Sequence, residues 1–312
     1  MNDKVVLNMS YTLKPIQSDN YIDLVNSLLS NLDISPQTKY DYEQRTPLFF
    51  DFIKRTGLTH NSYLEYKRYL TGRVDYSVAT KSKYLSVAKV ILKELNRQGY
   101  LPTDITSTIK GFKQSKKHKR DGINDGEMMK IMEKVKELQT NANNDRIKAI
   151  LSLLTFQGLR QVEIVRLSVV DIDLVENTAL ILGKGRDDKE VIDLHPETSK
   201  SLAQYMKSNG VKSGSLFVSH SNNSRNRRLS TRSVRELVAR LLVDLGIAKT
   251  VHGFRHYFTT TLIKTYKGDL LEVAGYTRHK SIETLQVYND SIKKKADLPR
   301  YYSAFDGIEF SG

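Results

Sequence analysis

The sequence of 312 residues contains no cysteine. This absence excludes a disulfide framework, Cys-ligated zinc, an iron–sulfur cluster and a thiol nucleophile, and it is typical of proteins in a reducing cytoplasm, where we expect this one. No apolar run approaches the roughly 18 residues of a membrane span, so no membrane partner is predicted. The N-terminus is too polar for a secretory signal. The chain also lacks a P-loop and clustered carboxylates, so we expect neither a nucleotide cofactor nor a metal.

Acidic residues are scarce relative to basic ones. The chain has 49 Lys and Arg against 35 Asp and Glu, which gives a formal net charge of +14. Net charge governs association rather than fold, so this excess favours a polyanionic partner, nucleic acid before membrane. Hydrophobic residues make up 39% and charged residues 27% of the chain, as in ordinary globular proteins. The length predicts about two domains of roughly 150 residues each.

Helical periodicity dominates the first third of the chain. Ser35 followed by Pro36 is typical of a helix start. The pattern predicts four helices, over residues 21–32, 36–52, 61–70 and 77–99. Residues 1–109 are therefore predicted to form an all-helical domain. Residues 110–123 are rich in lysine and arginine, which is equally consistent with a solvated linker and with a segment that contacts phosphates.

The second half is predicted to be mainly helical with a small antiparallel sheet. Helical patterns lie near residues 125–138, 147–156 and 234–245, and more helix follows Gly253. Thr178 to Leu182 and Glu190 to Leu194 are predicted strands around a glycine-flanked turn. This domain is expected over residues 124–290, followed by a tail at 291–312.

Two segments of this domain carry cations suited to phosphate. Arg160 follows an apolar helix, with Glu163 three residues later to orient it, although a surface ion pair explains the same pattern. Lys184 lies between two glycines, which allow a close backbone approach to a ligand. An ordinary polar hairpin tip has the same composition.

Two further segments carry histidine. His252 and Arg255 are three residues apart, so both lie on one helix face and can meet one phosphate. Zinc is the rival ligand, but the segment lacks cysteine and the H-E-x-x-H glutamate. His279 precedes Tyr288 by nine residues. Since the chain has 17 tyrosines, Tyr288 alone is equally well explained as a half-buried aromatic with a hydrated hydroxyl.

The combination, in this order, resembles the tyrosine recombinase (phage integrase) family. The first and second boxes of that family are similar to FQGLRQVEIVRLSVVDID and HGFRHYFTTTL. Its hairpin is similar to GKGRDDKEVIDL, and its nucleophile segment to HKSIETLQVY. The helical region resembles the family's core-binding domain. The resemblance implies a core-binding domain joined to a mixed α+β catalytic domain.

The resemblance also implies a reaction. Tyr288 would attack a DNA phosphodiester and form a 3′-phosphotyrosyl bond, without metal or ATP. A phenol is a poor nucleophile at neutral pH, so it needs a base, for which His252 is the candidate. Lys184 would protonate the departing 5′-oxygen. Lys189 is a second candidate for that role, and Lys184 is preferred because it matches the family's Gly-Lys-Gly position.

The remaining site residues would bind the phosphate. Arg160 and Arg255 would neutralise charge on the non-bridging oxygens, His279 would add a hydrogen bond, and Glu163 would orient Arg160. One segment departs from the family: AGYTRH stands where Leu-Gly-His is usual, which predicts a small insertion before His279.

The expected partners follow from charge and resemblance together. These are double-stranded DNA with short inverted-repeat sites and further copies of the chain, in a tetramer that the tail would link. The first helix begins near residue 21, which leaves no room for an additional arm-binding domain and favours an Xer-like or mobile-element recombinase. The residues expected to contact DNA phosphates are Lys81, Lys83, Lys116, Lys117, Lys119, Arg120, Arg225, Arg227, Arg228 and Arg232.

Two rival functions remain open at this stage. A type IB topoisomerase or a telomere-resolving enzyme would use a similar residue set with a different outcome. A DNA-binding regulator would keep the shape without the chemistry. That all six catalytic positions hold competent residues argues against a regulator.

Overall fold

A computed structural model describes residues 21–114 and 122–306 of the chain. The chain divides into two compact units, residues 1–115 and 116–312, and each has an apolar core of its own. The predicted fold class is confirmed: the described part of the first unit is helical, and the second combines helices with a small antiparallel sheet. No helix among these residues is long and apolar enough to cross a membrane. The predicted phosphate contacts Lys116, Lys117, Lys119 and Arg120 lie outside the described residues.

Five helices occupy the described part of the first unit. They are α1 (Tyr21–Ser30), α2 (Pro36–Glu43), α3 (Thr46–Thr56), α4 (Ser62–Gly72) and α5 (Val78–Arg97). The start of the second predicted helix at Pro36 is confirmed, but its continuation to residue 52 as a single helix is wrong, because the chain breaks at Arg45, between α2 and α3. Pro47 explains the break, since proline has no N–H to donate to the carbonyl of Glu43, four residues earlier, and its ring clashes with that carbonyl in a continuous helix. Phe49 and Tyr66 pack edge to face in this core, with ring centroids 4.9 Å apart.

The second unit contains eight α-helices among its described residues. They are α6 (Asp125–Glu137), α7 (Ala142–Phe156), α8 (Gln161–Arg166), α9 (Pro196–Asn209), α10 (Thr231–Asp244), α11 (Val251–Thr265), α12 (Leu270–Thr277) and α13 (Ile282–Ser303). Short 3₁₀ helices lie at Val169–Asp171 and Asn222–Ser224. Helix α9 was not predicted.

The sheet is a three-stranded meander. Strands β1 (Ile172–Asp173), β2 (Thr178–Leu182) and β3 (Lys189–Asp193) pair antiparallel in that order. The two predicted strands are confirmed, β3 one residue earlier than expected, and β1 was not predicted. In β2, Ala179 and Ile181 face the core while Leu180 is exposed, which is the alternation of a sheet with one buried face.

Helix α7 is the central element of the second core. Ile150, Leu153 and Leu154 are fully buried, and α7 packs against both α9 and α11. Gly158 lies just after α7 with φ +57°, a left-handed conformation that favours glycine. A Cβ at this position would lie 2.3 Å from Cδ1 of Phe258 on α11. The glycine therefore allows the α7–α8 connection to approach α11 closely.

Replacing Gly158 by alanine should destabilise the second unit more than left-handed strain alone. Gly210→Ala is the matched control, since Gly210 has φ +62° and open space around it. We expect the control to lose about 1–2 kcal/mol from strain. Gly158→Ala should lose about 1–3 kcal/mol more from overpacking against Phe258. Denaturant unfolding followed by circular dichroism measures both losses, and equal values would contradict the predicted steric conflict.

Candidate active site

Arg160 and Glu163 form an ion pair at the start of α8. Arg160 is the N-cap residue, and its backbone N–H donates to Oε2 of Glu163 at 2.8 Å. Its Nη1 donates to Oε1 of the same carboxylate at 2.9 Å. Glu163 is completely buried, whereas the Arg160 side chain is 37% exposed. The carboxylate of Glu163 thus holds the Arg160 guanidinium in place, while part of the Arg160 side chain remains exposed to solvent.

Arg255 joins three segments of the second unit. It lies on α11 and is 3% exposed. Its Nη1 donates to the carbonyl of Gly158 at 2.7 Å, and its Nη2 donates to the carbonyl of Thr277 at 2.6 Å. Burial, with the nearby charge of Arg160, lowers the pKa of Arg255 to about 10. Arg255 is still a cation at neutral pH, so its charge attracts anions.

His279 follows α12 closely and is held by that helix. Its Nδ1 lies 2.7 Å from Oγ1 of Thr277, and that hydroxyl donates to the carbonyl of Val273 at 2.8 Å. Because a hydroxyl has one hydrogen, Oγ1 accepts from Nδ1–H, which leaves Nε2 of the neutral ring as an acceptor. Burial, followed by the positive charges of Arg255 and Arg160, lowers the pKa of His279 to about 4.

Tyr288 lies on α13 and is 4% exposed. Its ring centroid is 6.3 Å from that of His279 and 4.7 Å from that of His256. Burial raises the pKa of the Tyr288 phenol, and the charges of Arg255 and Arg160 partly offset that effect. The contact between His256 and Tyr288 was not predicted from the sequence.

The two candidate lysines have different surroundings. Lys184 is exposed in the turn between β2 and β3. Lys189 forms an ion pair with Asp171, whose side chain is 3% exposed. Lys189 is therefore used to neutralise a buried carboxylate. His252 is exposed in the first turn of α11, three residues before Arg255.

Arg278 is a residue of the site that sequence reasoning missed. Its side chain is 7% exposed and bridges the carboxylates of Glu163, at 3.1 Å, and Glu190, at 3.4 Å. The segment in which a small insertion is predicted forms the end of α12, with residues 275–277 inside the helix and Arg278 as its C-cap residue.

The residues predicted to contact DNA differ in the contacts that they make within the protein. Lys83, Arg225 and Arg227 are exposed. Lys81 donates to the carbonyl of Thr71 at 2.8 Å, and Arg232 pairs with Glu236 at 2.7 Å. Arg228 donates to the carbonyls of Val165 and Leu167 at the end of α8, so its guanidinium also serves the fold. Among the described residues, no three histidine or acidic side chains cluster so as to hold a metal ion.

Residues 123–295, more than half of the chain, match the phage integrase family. The chain belongs to this family. It is a tyrosine site-specific recombinase, which recombines DNA through a tyrosine intermediate. The predicted family and activity are confirmed, and the described site contains the arginines, histidines and tyrosine that suggested them.

Relatives of this integrase include recombinases over most of its length. It is 26% identical over 292 residues to tyrosine recombinase XerC of Oceanobacillus iheyensis, covering 89% of this chain and 93% of that one. The structure of XerH site-specific recombinase bound to palindromic difH substrate has a TM-score of 0.71 at 20% identity, covering 94% and 86%. A lambda integrase tetramer bound to a Holliday junction has a TM-score of 0.62 at 17% identity, covering 83% and 76%. The two structures share the fold of this integrase.

The ring of His279 should titrate near pH 4 in the DNA-free protein, below the ordinary histidine value of 6.5. Between pH 4 and pH 6.5, the imidazole of residue 279 therefore binds more protons in the unfolded chain than in the folded protein. The contribution of His279 to stability is therefore complete above the unfolded value and is lost as the pH falls, by at most about 1.4 kcal/mol per pH unit. Ring NMR titration measures the pKa, with the signal assigned by His279→Asn.

The same variant tests the consequence for stability. His279→Asn should flatten the fall in unfolding free energy at acid pH, because asparagine takes up no proton in this range. A ring that titrates near 6.5, or identical pH profiles for the two proteins, would show that burial and the arginines do not control this histidine.

Proposed function

We propose that this integrase cuts one DNA strand with Tyr288 as the nucleophile. The bond between the tyrosine Oη and phosphorus forms as the bond between phosphorus and the 5′-oxygen breaks, which leaves a 3′-phosphotyrosyl link and a free 5′-hydroxyl. One observation carries the proposal: Tyr288 is buried beside His279, within the electrostatic influence of Arg255 and Arg160. The retained ester energy allows rejoining by the reverse displacement.

The nucleophile needs activation, because burial raises the pKa of Tyr288 and keeps its phenol protonated at neutral pH. We assign His252 as the general base. Arg255 and Arg160 assist by favouring the phenolate. His279 becomes a phosphate donor only when Nε2 gains a proton, and the negative charge of a bound phosphodiester favours that uptake.

The phosphate is bound by fixed cations. Arg160 and Arg255 are proposed to donate to its non-bridging oxygens and to stabilise the charge that develops in the transition state. Glu163 is proposed to orient Arg160, and the two hydrogen bonds that it accepts from Arg160 support this role. Lys184 is proposed to protonate the 5′-oxygen, a role suited to a long side chain on an exposed turn.

The proposed substrate is double-stranded DNA with short inverted repeats, bound by symmetric copies of the chain that form a tetramer on two duplexes. The net charge of +14 supports DNA binding. We infer an Xer-like or mobile-element recombinase that acts in the cytoplasm, where DNA and reducing conditions coincide. The helical domain (1–109), the basic linker (110–123) and the catalytic domain (124–290) are each proposed to contact the DNA.

The tail, residues 291–312, is proposed to dock on a neighbouring protomer. Helix α13 continues fifteen residues past Tyr288, to Ser303. Its end carries exposed aromatic side chains: Tyr301 is 56%, Tyr302 61% and Phe305 55% exposed. Contiguous exposed aromatic residues are typical of surfaces that bind another protein.

Tyr288→Phe should abolish covalent protein–DNA adducts and leave DNA binding intact, because only the nucleophilic oxygen is removed. Short duplexes from the DNA that flanks the integrase's own gene are incubated with each protein and separated on a denaturing gel. Wild type should give a slow, protease-sensitive band. Tyr276→Phe, which removes an exposed tyrosine hydroxyl, is the matched control and should retain the band. Adducts formed by Tyr288→Phe would contradict the assignment of the nucleophile.

Lys184→Ala should slow cleavage by about 10²–10⁴-fold, the usual contribution of a general acid. Replacing the bridging 5′-oxygen with sulfur should remove this defect, since a thiolate leaves without protonation. Lys189→Ala is the control: it leaves Asp171 buried and unpaired, so it should lower stability and give no specific rescue by sulfur. Rescue of Lys189→Ala instead of Lys184→Ala would exchange the two assignments.

A further inference from the structure

Arg278 has a backbone conformation that is unfavourable for arginine. It caps α12 with φ +55° and ψ +40°, in the left-handed region where a Cβ is crowded and glycine is preferred. It stands directly before His279, where the resembled family has glycine. The strain must be offset by contacts of the side chain, since the backbone alone would be better served by glycine.

The side chain makes two ion pairs on different elements. Its Nη2 is 3.1 Å from Oε2 of Glu163, in the first turn of α8, and its Nη1 is 3.4 Å from Oε1 of Glu190, on β3. These partners are 115 and 88 residues away along the chain. Arg278 therefore connects the end of α12 to both the arginine box and the hairpin.

Each carboxylate also has a second cation. Glu163 accepts from Arg160, and the other oxygen of Glu190 lies 3.4 Å from Nη1 of Arg186. The resulting chain of five alternating charges is defined here as the arginine relay: Arg160, Glu163, Arg278, Glu190 and Arg186. Arg186 is two residues from Lys184 on the same turn. Arg278 is the middle member, and without it the relay separates into two unconnected pairs.

Fold stability alone accounts poorly for this arrangement. A buried ion pair seldom stabilises a protein more than apolar packing would, because desolvation of the charges offsets their attraction. Its directional contacts do fix the position of the elements that it joins. The turn of the hairpin is exposed, and Arg166 on α8 donates to the carbonyl of Gly183 beside it at 3.1 Å. Arg278 adds a second link, which joins the hairpin to the end of α12 as well as to α8.

We propose that Arg278 is a positioning residue that holds the β2–β3 hairpin, and with it Lys184, at a fixed distance from Arg160 in the active site. The inference rests on the proposed role of Lys184 as the general acid. Arg278 itself contacts two carboxylates and is proposed to act through them rather than on the DNA.

Arg278→Gly tests this proposal because it removes both ion pairs, and the glycine relieves the left-handed strain, which offsets part of the stability lost when the buried carboxylate of Glu163 loses a cation. The probe is the duplex site found by the adduct screen, made with either oxygen or sulfur at the bridging 5′ position. On the oxygen substrate, cleavage should be slower than wild type by about 10- to 100-fold, the effect of a displacement near 1 Å. On the sulfur substrate it should return to within about threefold of wild type, since the general acid is no longer needed.

Two companion variants separate the links of the relay. Glu190→Gln removes the charge on the hairpin side and leaves the pair between Arg278 and Glu163, so it should show the same rescue by sulfur. Glu197→Gln alters an exposed pair with Lys200 on α9 and should cleave both substrates at the wild-type rate. Thermal unfolding and DNA binding are measured on all variants. Arg278→Gly should unfold at a lower temperature than wild type, because Glu163 keeps only Arg160 as its cation, and it should bind DNA as wild type does at the lower temperature of the cleavage assay.

The outcomes are distinguishable. An oxygen-substrate rate equal to wild type for Arg278→Gly would overturn the proposal, and so would a defect of equal size on both substrates, which would mean that Arg278 acts through Arg160 on the phosphate. If Lys184→Ala is not rescued by sulfur, the general-acid assignment fails and this inference fails with it. Rescue of Lys184→Ala but not of Arg278→Gly overturns this inference alone.

Discussion

A carboxylate with no exposure to solvent, that of Glu163, is the constraint on which the active site depends. An ionised carboxylate is costly to bury unless its oxygens are hydrogen-bonded and a cation lies nearby. Burial alone would raise the pKa of Glu163, but Arg278 and the hydrogen bonds from Arg160 outweigh it and hold the pKa below its usual value. The charge of Glu163 therefore requires both arginines, and their positions follow from it.

The same concentration of cations determines how the other groups behave. Arg160, Arg255 and Arg278 lie close together. Their charges exceed those of the neighbouring carboxylates, Glu163 and Glu190, so the net charge is positive where the phosphate is proposed to bind. Burial and this excess of positive charge both lower the pKa of His279, and the charges of Arg255 and Arg160 partly offset the rise that burial causes in the pKa of Tyr288. The charges of Arg160 and Arg278 lower the pKa of Arg255, which reflects repulsion among these cations. A phosphodiester bound as proposed would reduce that repulsion.

Sequence reasoning succeeded where the signal is local. The apolar stripes of α5, α7 and α10 and the alternation in β2 predicted their elements, and the order of arginine, histidine and tyrosine segments predicted the family. It failed at the break before Pro47, where a steric effect of one residue interrupts a periodic pattern, and at α9, whose buried stripe contains few residues such as Leu202 and Tyr205. Arg278 could not be predicted, since its meaning lies in contacts with residues 115 and 88 positions away.

Different forces position the proposed nucleophile and the proposed phosphate-binding groups. Tyr288 belongs to an apolar cluster with Ile263, Val273 and Leu285, which holds α13 against α11 and α12 by burial of hydrocarbon. The arginines are held by directional ion pairs and carbonyl contacts. Both sets converge on α12, whose Val273 packs in the cluster and whose Thr277 accepts from Arg255 and contacts His279. Apolar packing tolerates small adjustments that hydrogen bonds do not. Tyr288, which is proposed to attack and later leave the phosphorus, therefore lies on an apolar support, whereas the arginines proposed to bind the phosphate are held by directional contacts.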